Sequence, residues 1–418
     1  MTSRERIKSA LAHKESDRIP LDFGCVTVTG MHYSVVEGLR EHFGLEKHPI
    51  KIAEPYQMLG LIEDDLKAAM GVDAEGVFTR TNMFGIRQEN WREWRLDNGD
   101  VVLAAGGLNV TEDNRGDHFI HPLGDVTAAP CARMPKNGFY FDALSRQEPF
   151  DDYEELDPED NLEEFGPVED SVLDEFEEDL CRAEATGRAV VASFGGTALG
   201  DIALVPGLTL KNPRGVRDVA EWYMATAVAP DYIKYVFDKQ TEIAVENLKR
   251  LKARVGNRID VIFICGTDFG TQISTFCSAD TFKDIYMPYY KRVNDWIHHN
   301  TTWRTFKHSC GAIEPFIPLL IESGFDVLNP VQCSAKGMDP EWLKKKYGKD
   351  IVFWGGGVDT QHLLPFGTPD EVRDQVARRC EIFGTGGGYV FNSIHNVQAG
   401  TPIKNVVAML EALHGFKL

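Results

Sequence analysis

The sequence lacks any long apolar run. No stretch of about 18 uncharged apolar residues occurs, which argues against a transmembrane helix. The first stretch, MTSRERIKSALAHKESDR, also lacks the apolar centre of a secretion signal. The 8 cysteines are scattered without the spacing of a disulfide framework. These absences predict a cytoplasmic protein that is not attached to a membrane.

Positive charge is scarce as well. The formal net charge is -20, and the segment Glu148 to Asp179 holds 17 acidic residues without one Lys or Arg. A protein without a basic stripe cannot displace counterions from phosphates, so nucleic acid is not an expected partner. The acidic segment is interpreted as a solvated linker plus one acidic helix face, with a docking surface for a basic partner as the alternative.

A GxGxxG motif after an early strand is also missing, which disfavours a dinucleotide-binding open sheet. Near-continuous apolar runs instead alternate with amphipathic helices, a pattern typical of a parallel sheet covered on both faces. The runs are RIPLDFG, AEGVFT, AVVASFG, DVIFICGTD, RTFKHSC, DVLNPV, IVFWGGG and YVFNS. Eight βα units predict an α/β fold of the TIM (β/α)8 barrel type, with a doubly wound open sheet as the competitor.

One region does not follow this alternation. The stretch WREWRLDNGDVVLAA predicts a β-hairpin, because Asn98-Gly99 is a preferred two-residue turn pair between aromatic and β-branched flanks. The acidic segment follows soon after. We therefore predict a single barrel domain over residues 1–418, with an antiparallel, acidic insertion over residues 85–185.

In a TIM barrel the chemistry takes place at the carboxyl ends of the strands. These ends are Phe23-Gly24, Phe194-Gly195, Thr267-Asp268, His308-Ser309-Cys310, Asn329-Pro330-Val331-Gln332, Gly355-Gly356-Gly357 and Asn392-Ser393. Five residues at or just after them are predicted to contact a substrate: Phe23, Gln272, Asn329, Gln332 and Asn392.

The strand end at HSCG carries the strongest chemical signal. His308 and Cys310 are two residues apart, so in a strand both side chains face one side, which predicts that they supply two ligands of a metal site. Zinc takes three or four N, S or O ligands. His395, in the loop after the last strand, is the first choice for a third ligand, and Cys333 is the second. Two carboxylates, Asp268 and Glu314, are candidates for a fourth ligand or a general base.

Five stretches of the chain resemble the uroporphyrinogen decarboxylase superfamily. They are RERIKSALAHKESDRIPLDFG, DFGTQISTFCSADTFKDIYMPYYKRV, FKHSCGAIEPFIPLLIESGFDVLNPVQ, WGGGVDTQHLLPFGTPDEVRDQV and GGGYVFNSIHNVQAGTPIKNVVAMLEAL. The resemblance covers the first 25 residues and most of the chain after about residue 260, and region 85–185 departs from it. It implies a TIM barrel and one of two activities. One is decarboxylation of uroporphyrinogen without metal, and the other is zinc-dependent methyl transfer to or from a corrinoid.

Two details favour the methyltransferase branch. The decarboxylases carry an arginine-rich stretch after the first strand, whereas the corresponding CVTVTGMHYSVV has neither Arg nor Lys to pair with a polycarboxylate. The His-x-Cys pair of the zinc methyltransferases matches His308 and Cys310. Their later Pro-Gly-Cys-Gly loop is replaced by the segment from Ser393 to Asn396, where His395 stands for the cysteine. A histidine in a GHG-like loop of the decarboxylases keeps that alternative open.

The resemblance thus implies a zinc-dependent methyltransferase that demethylates a small methoxylated aromatic or N-methyl compound. The methyl group would pass to cob(I)alamin (cobalamin) on a partner corrinoid protein. Alternatives are methyl transfer from a methylcorrinoid to a thiol or tetrahydrofolate, a decarboxylase, and a non-catalytic barrel that binds a corrinoid protein. Barrels of this kind often pair, so a homodimer is one expected assembly.

Overall fold

The computed structural model describes residues 1–194 and 198–418, so Gly195 of the predicted strand end lies outside the described residues. The strands are β1 Ile52–Glu54, β2 Leu59–Gly60, β3 Ala74–Phe78, β4 Arg92–Arg95, β5 Val101–Ala104, β6 Val110–Glu112, β7 His118–Ile120, β8 Ala132–Met134, β9 Asp142–Ala143, β10 Ala189–Ser193, β11 Val261–Cys265, β12 Arg304–His308, β13 Val327–Asn329, β14 Val352–Trp354 and β15 Tyr389–Val390.

The helices surround these strands. They are α1 Ser3–Leu11, α2 Tyr33–His42, α3 Asp64–Met70, α4 Asp170–Ala185, α5 Val219–Val228, α6 Pro230–Val255, α7 Ala279–Ile285, α8 Met287–Asn300, α9 Ile317–Glu322, α10 Pro340–Tyr347, α11 Leu363–Phe366, α12 Pro369–Gly384 and α13 Ile403–Gly415. Short 3-10 helices cover Pro122–Gly124, Tyr153–Glu155, Pro158–Leu162 and Glu314–Phe316. In the described part of the chain, no helix has the length and apolarity needed to span a membrane.

A parallel sheet forms the barrel. Seven strands lie in the order β15-β14-β13-β12-β11-β10-β3. Leu21 occupies the eighth position, because it forms a parallel bridge with Phe391 on one side. On the other side, the Leu21 carbonyl accepts a hydrogen bond of 2.7 Å from the Asp73 N–H, just before β3. The predicted TIM barrel is therefore confirmed, with each of the eight predicted apolar runs at a barrel position.

Strand alternation divides the barrel core into two layers. Val352 and Trp354 of β14 belong to an inner cluster, whereas Phe353 between them belongs to the outer cluster under the helices. Helix α1 contributes Ile7 and Leu11 to the inner cluster. Because apolar side chains point both into the barrel and out toward the helices, the strands read as continuous apolar runs in the sequence.

The insertion is antiparallel. Strands β4 and β5 pair as the predicted hairpin, and β6 to β9 form a second antiparallel sheet in chain order. The turn differs from the predicted two-residue type. Gly99 has a φ of +91° but Asn98 is not in the left-handed region, and Leu96 N–H bonds to the Asp100 carbonyl. The connection is therefore a three-residue loop, Asp97–Gly99, with glycine in its left-handed position.

The acidic segment ends in helix α4, which buries Leu173, Phe176 and Leu180. Its outer carboxylates are engaged in ion pairs with arginines from the stretch after β3 and from the region of α6: Arg80, Arg87, Arg250, Arg254 and Arg258. The charge that is concentrated in the sequence is thus partly neutralised within the fold.

One of the amphipathic stretches that follow the strands forms two helices rather than one. The stretch SADTFKDIYMPYYKRVNDWIHH forms α7 and α8, which are separated at Tyr286. Pro288 lies in the first turn of α8. Proline lacks an N–H group and restricts the residue before it, so it is favourable at the start of a helix and unfavourable inside one.

Candidate metal centre

Strand β12 delivers two of the predicted donors to the mouth of the barrel. His308 is its last residue and is 3% exposed, and Cys310 follows two positions later on the same side. The His308 Nε2 and Cys310 Sγ atoms lie 3.4 Å apart. The chain then turns at Gly311, whose φ of +94° lies in the left-handed region.

The loop after β15 brings His395 to the same place. Its ring centre lies 5.4 Å from that of His308, at an interplanar angle of 77°. The neighbouring Asn396 anchors the loop, because its side chain accepts from the Gly30 N–H at 2.6 Å and donates to the Thr27 carbonyl at 2.9 Å. One donor atom each of His308, Cys310 and His395 lie within 4.8 Å of one another. The structure thus gathers the three residues predicted as metal ligands.

A buried amide determines which nitrogen of His308 faces the other donors. Asn329 Nδ2 donates to the Trp354 carbonyl at 2.8 Å, so its Oδ1 atom is directed at His308 Nδ1, 2.6 Å away. An amide oxygen can only accept, and Nδ1 must therefore carry the proton. His308 Nε2 is therefore unprotonated and faces Cys310 Sγ, 3.4 Å away, from which it accepts a hydrogen bond. A metal ion that displaces the thiol proton could bind this nitrogen, the arrangement seen when an outer residue orients a metal-binding histidine.

Burial keeps both imidazoles neutral. It lowers the pKa of His308 to about 4, an effect opposed by the hydrogen bond to Asn329. Burial, together with the proximity of His308, also lowers the pKa of His395 to about 4. The pKa of the Cys310 thiol is raised well above its ordinary value by burial and by the Asp268 carboxylate. At neutral pH both imidazoles are thus uncharged, as metal binding requires, whereas the thiol needs a bound cation to ionise.

The donor set fits a tetrahedral divalent ion such as zinc. With bond lengths near 2.0 Å to nitrogen and 2.3 Å to sulfur, tetrahedral N and S ligands lie about 3.5 Å apart, close to the 3.4 Å between His308 and Cys310. His395 needs a small adjustment, because its Nδ1 accepts the Asn396 N–H at 2.8 Å. Binding through Nε2 would move the ring proton to Nδ1 and release this bond. Three such protein donors leave one position of a tetrahedron open.

Asp268 lies beside the donors. Its Oδ1 accepts the Cys310 N–H at 2.6 Å and lies 3.8 Å from His308 Nε2. Burial raises the pKa of Asp268, and the Cys310 N–H bond and the Lys307 ammonium oppose this rise. The predicted carboxylate is therefore close enough to act on a group bound at the three donors, and its role as a ligand or base stays a prediction.

The other two candidates for the donor group lie elsewhere. Glu314 Oε1 accepts hydrogen bonds from three side chains of α10: Trp342, Lys346 and Tyr347. Burial opposes ionisation of Glu314, but these bonds outweigh it and hold its pKa below the ordinary value. Burial raises the pKa of Cys333 to about 11. In the described residues neither side chain joins the three-donor group, and a catalytic role for Glu314 stays a prediction.

The predicted substrate contacts occupy different environments. Phe23 is fully buried in the outer core cluster. Gln272 is on the exposed rim and donates to Gln361 at 3.3 Å. Gln332 accepts the Gly311 N–H at 2.7 Å and so supports the turn after Cys310. Asn392 is fully buried and donates to the Asp22 carbonyl at 2.7 Å. Asn329, the fifth of these residues, is hydrogen-bonded to His308. Contacts between these five residues and a substrate stay predictions.

Three residues near the centre escaped the sequence reasoning. Lys307 is fully buried, with 0% solvent exposure, and donates to the Thr267 and His308 carbonyls. Asp201 accepts the Gly266 N–H at 2.9 Å, behind Asp268. Asp22 accepts from Trp354 Nε1 at 2.9 Å inside the barrel. Asp22 was detectable as a carboxylate at a strand end, but no local pattern marks the other two.

Comparison with known proteins finds similarity to one protein family over part of the chain. A profile described as Uroporphyrinogen decarboxylase (URO-D) matches residues 210–416. Over 114 residues the chain is 30% identical to a uroporphyrinogen decarboxylase of Methylobacillus flagellatus, covering 26% of this chain and 31% of the relative. Over 65 residues it is 42% identical to that of Chromohalobacter salexigens, covering 16% and 18%. The chain thus matches less than a third of the length of these decarboxylases.

A solved structure matches along the whole chain. A methyltransferase from Methanosarcina mazei superposes with a TM-score of 0.56 at 15% identity, covering 100% of this chain and 99% of that one. At an identity this low, the superposition demonstrates a shared fold and no more. Together with the matched segment, it agrees with the resemblance noted in the sequence motifs. Residues 210–416 therefore match the profile of the uroporphyrinogen decarboxylase family, and the whole chain shares the fold of the Methanosarcina mazei methyltransferase.

Proposed function

We propose that this protein is a zinc-dependent methyltransferase. It takes a methyl group from a small methoxylated aromatic or N-methyl compound and passes it to cob(I)alamin on a partner corrinoid protein. The observation that carries the proposal is the meeting of His308, Cys310 and His395, with donor atoms within 4.8 Å, at the mouth of the barrel. The fold shared with the Methanosarcina mazei methyltransferase supports it.

The reaction exchanges one bond for another. The bond between the methyl carbon and its oxygen or nitrogen breaks, and its electron pair stays on that heteroatom. Cob(I)alamin, as the second substrate on its partner protein, would supply the electron pair of the new bond to the methyl carbon. The heteroatom would take up one proton as it leaves. A zinc ion, when bound, supplies Lewis acidity that stabilises the negative charge on the departing oxygen.

The residues of the chain prepare this step. Asn329 holds His308 with Nε2 toward Cys310, and Asn396 holds the loop of His395. Asp268, 3.8 Å from His308 Nε2, is placed to orient the substrate or to exchange the proton with the leaving group. Two neutral imidazoles and one thiolate make a less anionic donor set than several thiolates would. The metal is then a stronger Lewis acid, which favours demethylation over methyl transfer to a thiol or tetrahydrofolate.

Metal content and methyl transfer test the proposal together. Protein purified without chelators should hold about one zinc per chain, and mixing it with cob(I)alamin and methylated donors should produce the methylcobalamin spectrum. His308→Ala and Cys310→Ala should each lose both properties. Glu314→Gln provides a control on the same face of the barrel, and it should keep the metal. Less than about a tenth of an equivalent of zinc in the unaltered protein would contradict the proposal.

The family match favours one second candidate, a uroporphyrinogen-decarboxylase-like enzyme. His395 is the residue that this activity would share with the decarboxylases. The stretch after Leu21 is its weakness, because residues 25–36 contain no Arg or Lys to pair with substrate carboxylates. Conversion of uroporphyrinogen to coproporphyrinogen by metal-free protein would establish this candidate and refute the methyltransferase.

A further inference from the structure

A groove of about 480 Å³ lies between helix α5 and the segment at residues 147–153. Most of its lining is apolar and consists of Pro149, Phe150, Tyr153, Met224, Ala227 and Val228. The charged residues of the described lining are Glu148, Asp151 and Glu221, without any Lys or Arg. The groove therefore combines an apolar surface with charge of one sign.

The outward face of α5 supplies one wall of this groove. Met224 and Val228 are four residues apart, hence neighbours on the helix surface, and they are 51% and 67% exposed. The opposite face of α5 packs in the core through Trp222 and Ala225. A surface helix normally turns polar side chains to solvent. An apolar outward face beside an apolar groove is instead typical of a surface that another molecule covers.

The two walls of the groove are fastened to each other. Gln147 Oε1 accepts the Asp218 N–H at 3.1 Å, just before α5 begins. The Tyr153 hydroxyl donates to the Glu221 carboxylate at 2.8 Å, and the Tyr153 ring packs against that of Phe150 with centres 5.0 Å apart. The groove is thus formed before anything binds to it, and a preformed surface loses little conformational entropy on binding.

Carboxylates beside the groove carry charge that the fold does not neutralise. Residues 148–157 hold 6 of them. In the part of the chain that the structure describes, the ion pairs of the acidic segment begin only at Asp160 and Glu163, which Arg214 binds. Two of the 6 carboxylates line the groove, and the others follow along the chain. A small organic cation would meet only the first two, whereas a basic peptide segment meets the whole row.

We propose that this groove binds a partner protein through a segment in which Lys and Arg flank apolar side chains. The apolar side chains cover Met224 and Val228, and the basic residues pair with the carboxylates of residues 148–157. Burial of apolar area supplies the affinity, and charge complementarity selects a basic segment over an acidic one. A second copy of this chain is disfavoured, because two molecules with a net charge of -20 repel each other.

The groove lies close to the candidate metal centre. Tyr223 of α5 donates to the Asp268 carbonyl at 2.9 Å, and the Asp268 carboxylate accepts the Cys310 N–H at 2.6 Å. A partner docked on the outward face of α5 is therefore separated from the candidate metal centre by one helix. The inference itself does not depend on the proposed methyl transfer.

The test measures binding of a fluorescent amphipathic peptide made of leucine and lysine to the whole chain. Fluorescence anisotropy gives the affinity at about 0.15 M salt. A peptide with glutamate at each lysine position should not bind. Met224→Glu combined with Val228→Glu should weaken binding of the lysine peptide by about tenfold or more. Glu148→Gln combined with Asp151→Asn should weaken it by about threefold.

A second surface of the molecule provides matched controls. Asp374 and Glu381 of α12 line another groove, so Asp374→Asn with Glu381→Gln removes the same charge elsewhere and should leave the affinity unchanged. Phe366 is 83% exposed, and Phe366→Glu should also bind the peptide normally. If the paired variant of α5 fails to fold, Val228→Ser replaces it, because it shortens only the more exposed of the two side chains.

Several outcomes would overturn the proposal. They are equal binding of the lysine and glutamate peptides, no binding of either, full binding by the Val228 variants, or equal loss in the Asp374 and Glu381 control, which would show attraction by net charge alone. Self-association of the unaltered protein in the ultracentrifuge that Val228→Ser abolishes would assign the groove to a second copy instead. None of these measurements involves zinc or methyl transfer, so the proposed function stands or falls separately.

Discussion

At His308, one buried amide decides which ring nitrogen is available to a metal. Asn329 is itself oriented by the Trp354 carbonyl, so its oxygen cannot turn away without losing that bond. Asn329, which the sequence analysis predicts to contact a substrate, thus orients His308, a predicted metal ligand. Such outer residues commonly affect metal affinity as strongly as some direct contacts.

We predict that Asn329→Leu weakens zinc binding by about 10- to 100-fold, because His308 loses the acceptor that selects its tautomer. Competition with a chromophoric chelator measures the change. Asn329→Asp retains an acceptor oxygen and serves as the control, with affinity closer to that of the unaltered protein. Equal zinc affinity in the leucine variant would show that His308 is oriented by other means.

Glu54 is a second residue whose environment has a measurable consequence. Its oxygens accept the Tyr56 and Gln57 N–H groups at 2.6 and 2.8 Å. Burial nevertheless raises its pKa to about 7 from 4.5. Between these values the folded protein holds a proton that the unfolded chain has released. The stability that Glu54 contributes is therefore lost as the pH rises from 4.5 to about 7.

We expect Glu54→Gln to remove this part of the pH dependence. A shift of this size corresponds to at most about 3 kcal/mol across the interval. Urea denaturation at several pH values, with the variant subtracted from the unaltered protein, isolates the effect from the buried histidines. A difference that does not change between pH 4.5 and 7 would show that Glu54 is ionised throughout this range in the fold.

Among the elements, the turn after β12 packs against the short hairpin after β11. Residues 270–275 form a small hairpin, closed by a bridge between Gly270 and Thr275. Gly270 and Gly311 touch backbone to backbone, so that a Cβ atom on Gly311 would lie 2.2 Å from the Gly270 carbonyl carbon. The Ala312 N–H also donates to the Thr271 carbonyl at 2.8 Å. The position of Cys310 is thus tied to the hairpin.

Gly311→Ala should therefore cost about 3 kcal/mol or more in unfolding free energy, because left-handed strain adds to a backbone clash. It should also weaken zinc binding through displacement of Cys310. Gly386→Ala is the matched control: its φ is +77° and nothing lies within 4 Å of the added atom. That variant should lose only about 1–2 kcal/mol. Similar losses in both variants would mean that the hairpin moves aside freely.

On the scale of the whole molecule, the barrel core and the candidate metal centre are separate. The inner and outer core clusters consist of apolar side chains, and none of the three donors belongs to them. Strand pairing and these clusters hold the barrel together. A bound ion would add stability to a fold that already exists, in contrast to small zinc domains whose folding needs the metal.

Removal of metal with a chelator should accordingly abolish methyl transfer and leave the circular dichroism spectrum of the folded protein unchanged. Adding zinc at about 1,000 times its dissociation constant should stabilise the fold by about 4 kcal/mol. Calorimetric melting measures this rise, which Cys310→Ala should lack. Unfolding of the metal-free protein would show instead that the ion is structural.

The sequence by itself determined the barrel and half of the candidate metal centre. Alternation of apolar runs with helices is a local property, and so is the spacing that places His308 and Cys310 on one side of β12. Only the tertiary structure decided which distant residues complete the centre. His395 approaches because Asn396 fastens its loop to the N-terminal segment, and Asn329 serves His308 because β13 lies beside β12. Glu314, close to Cys310 in the chain, is instead bound by α10. Contacts between residues far apart in the chain depend on the packing of whole elements, which no local pattern encodes.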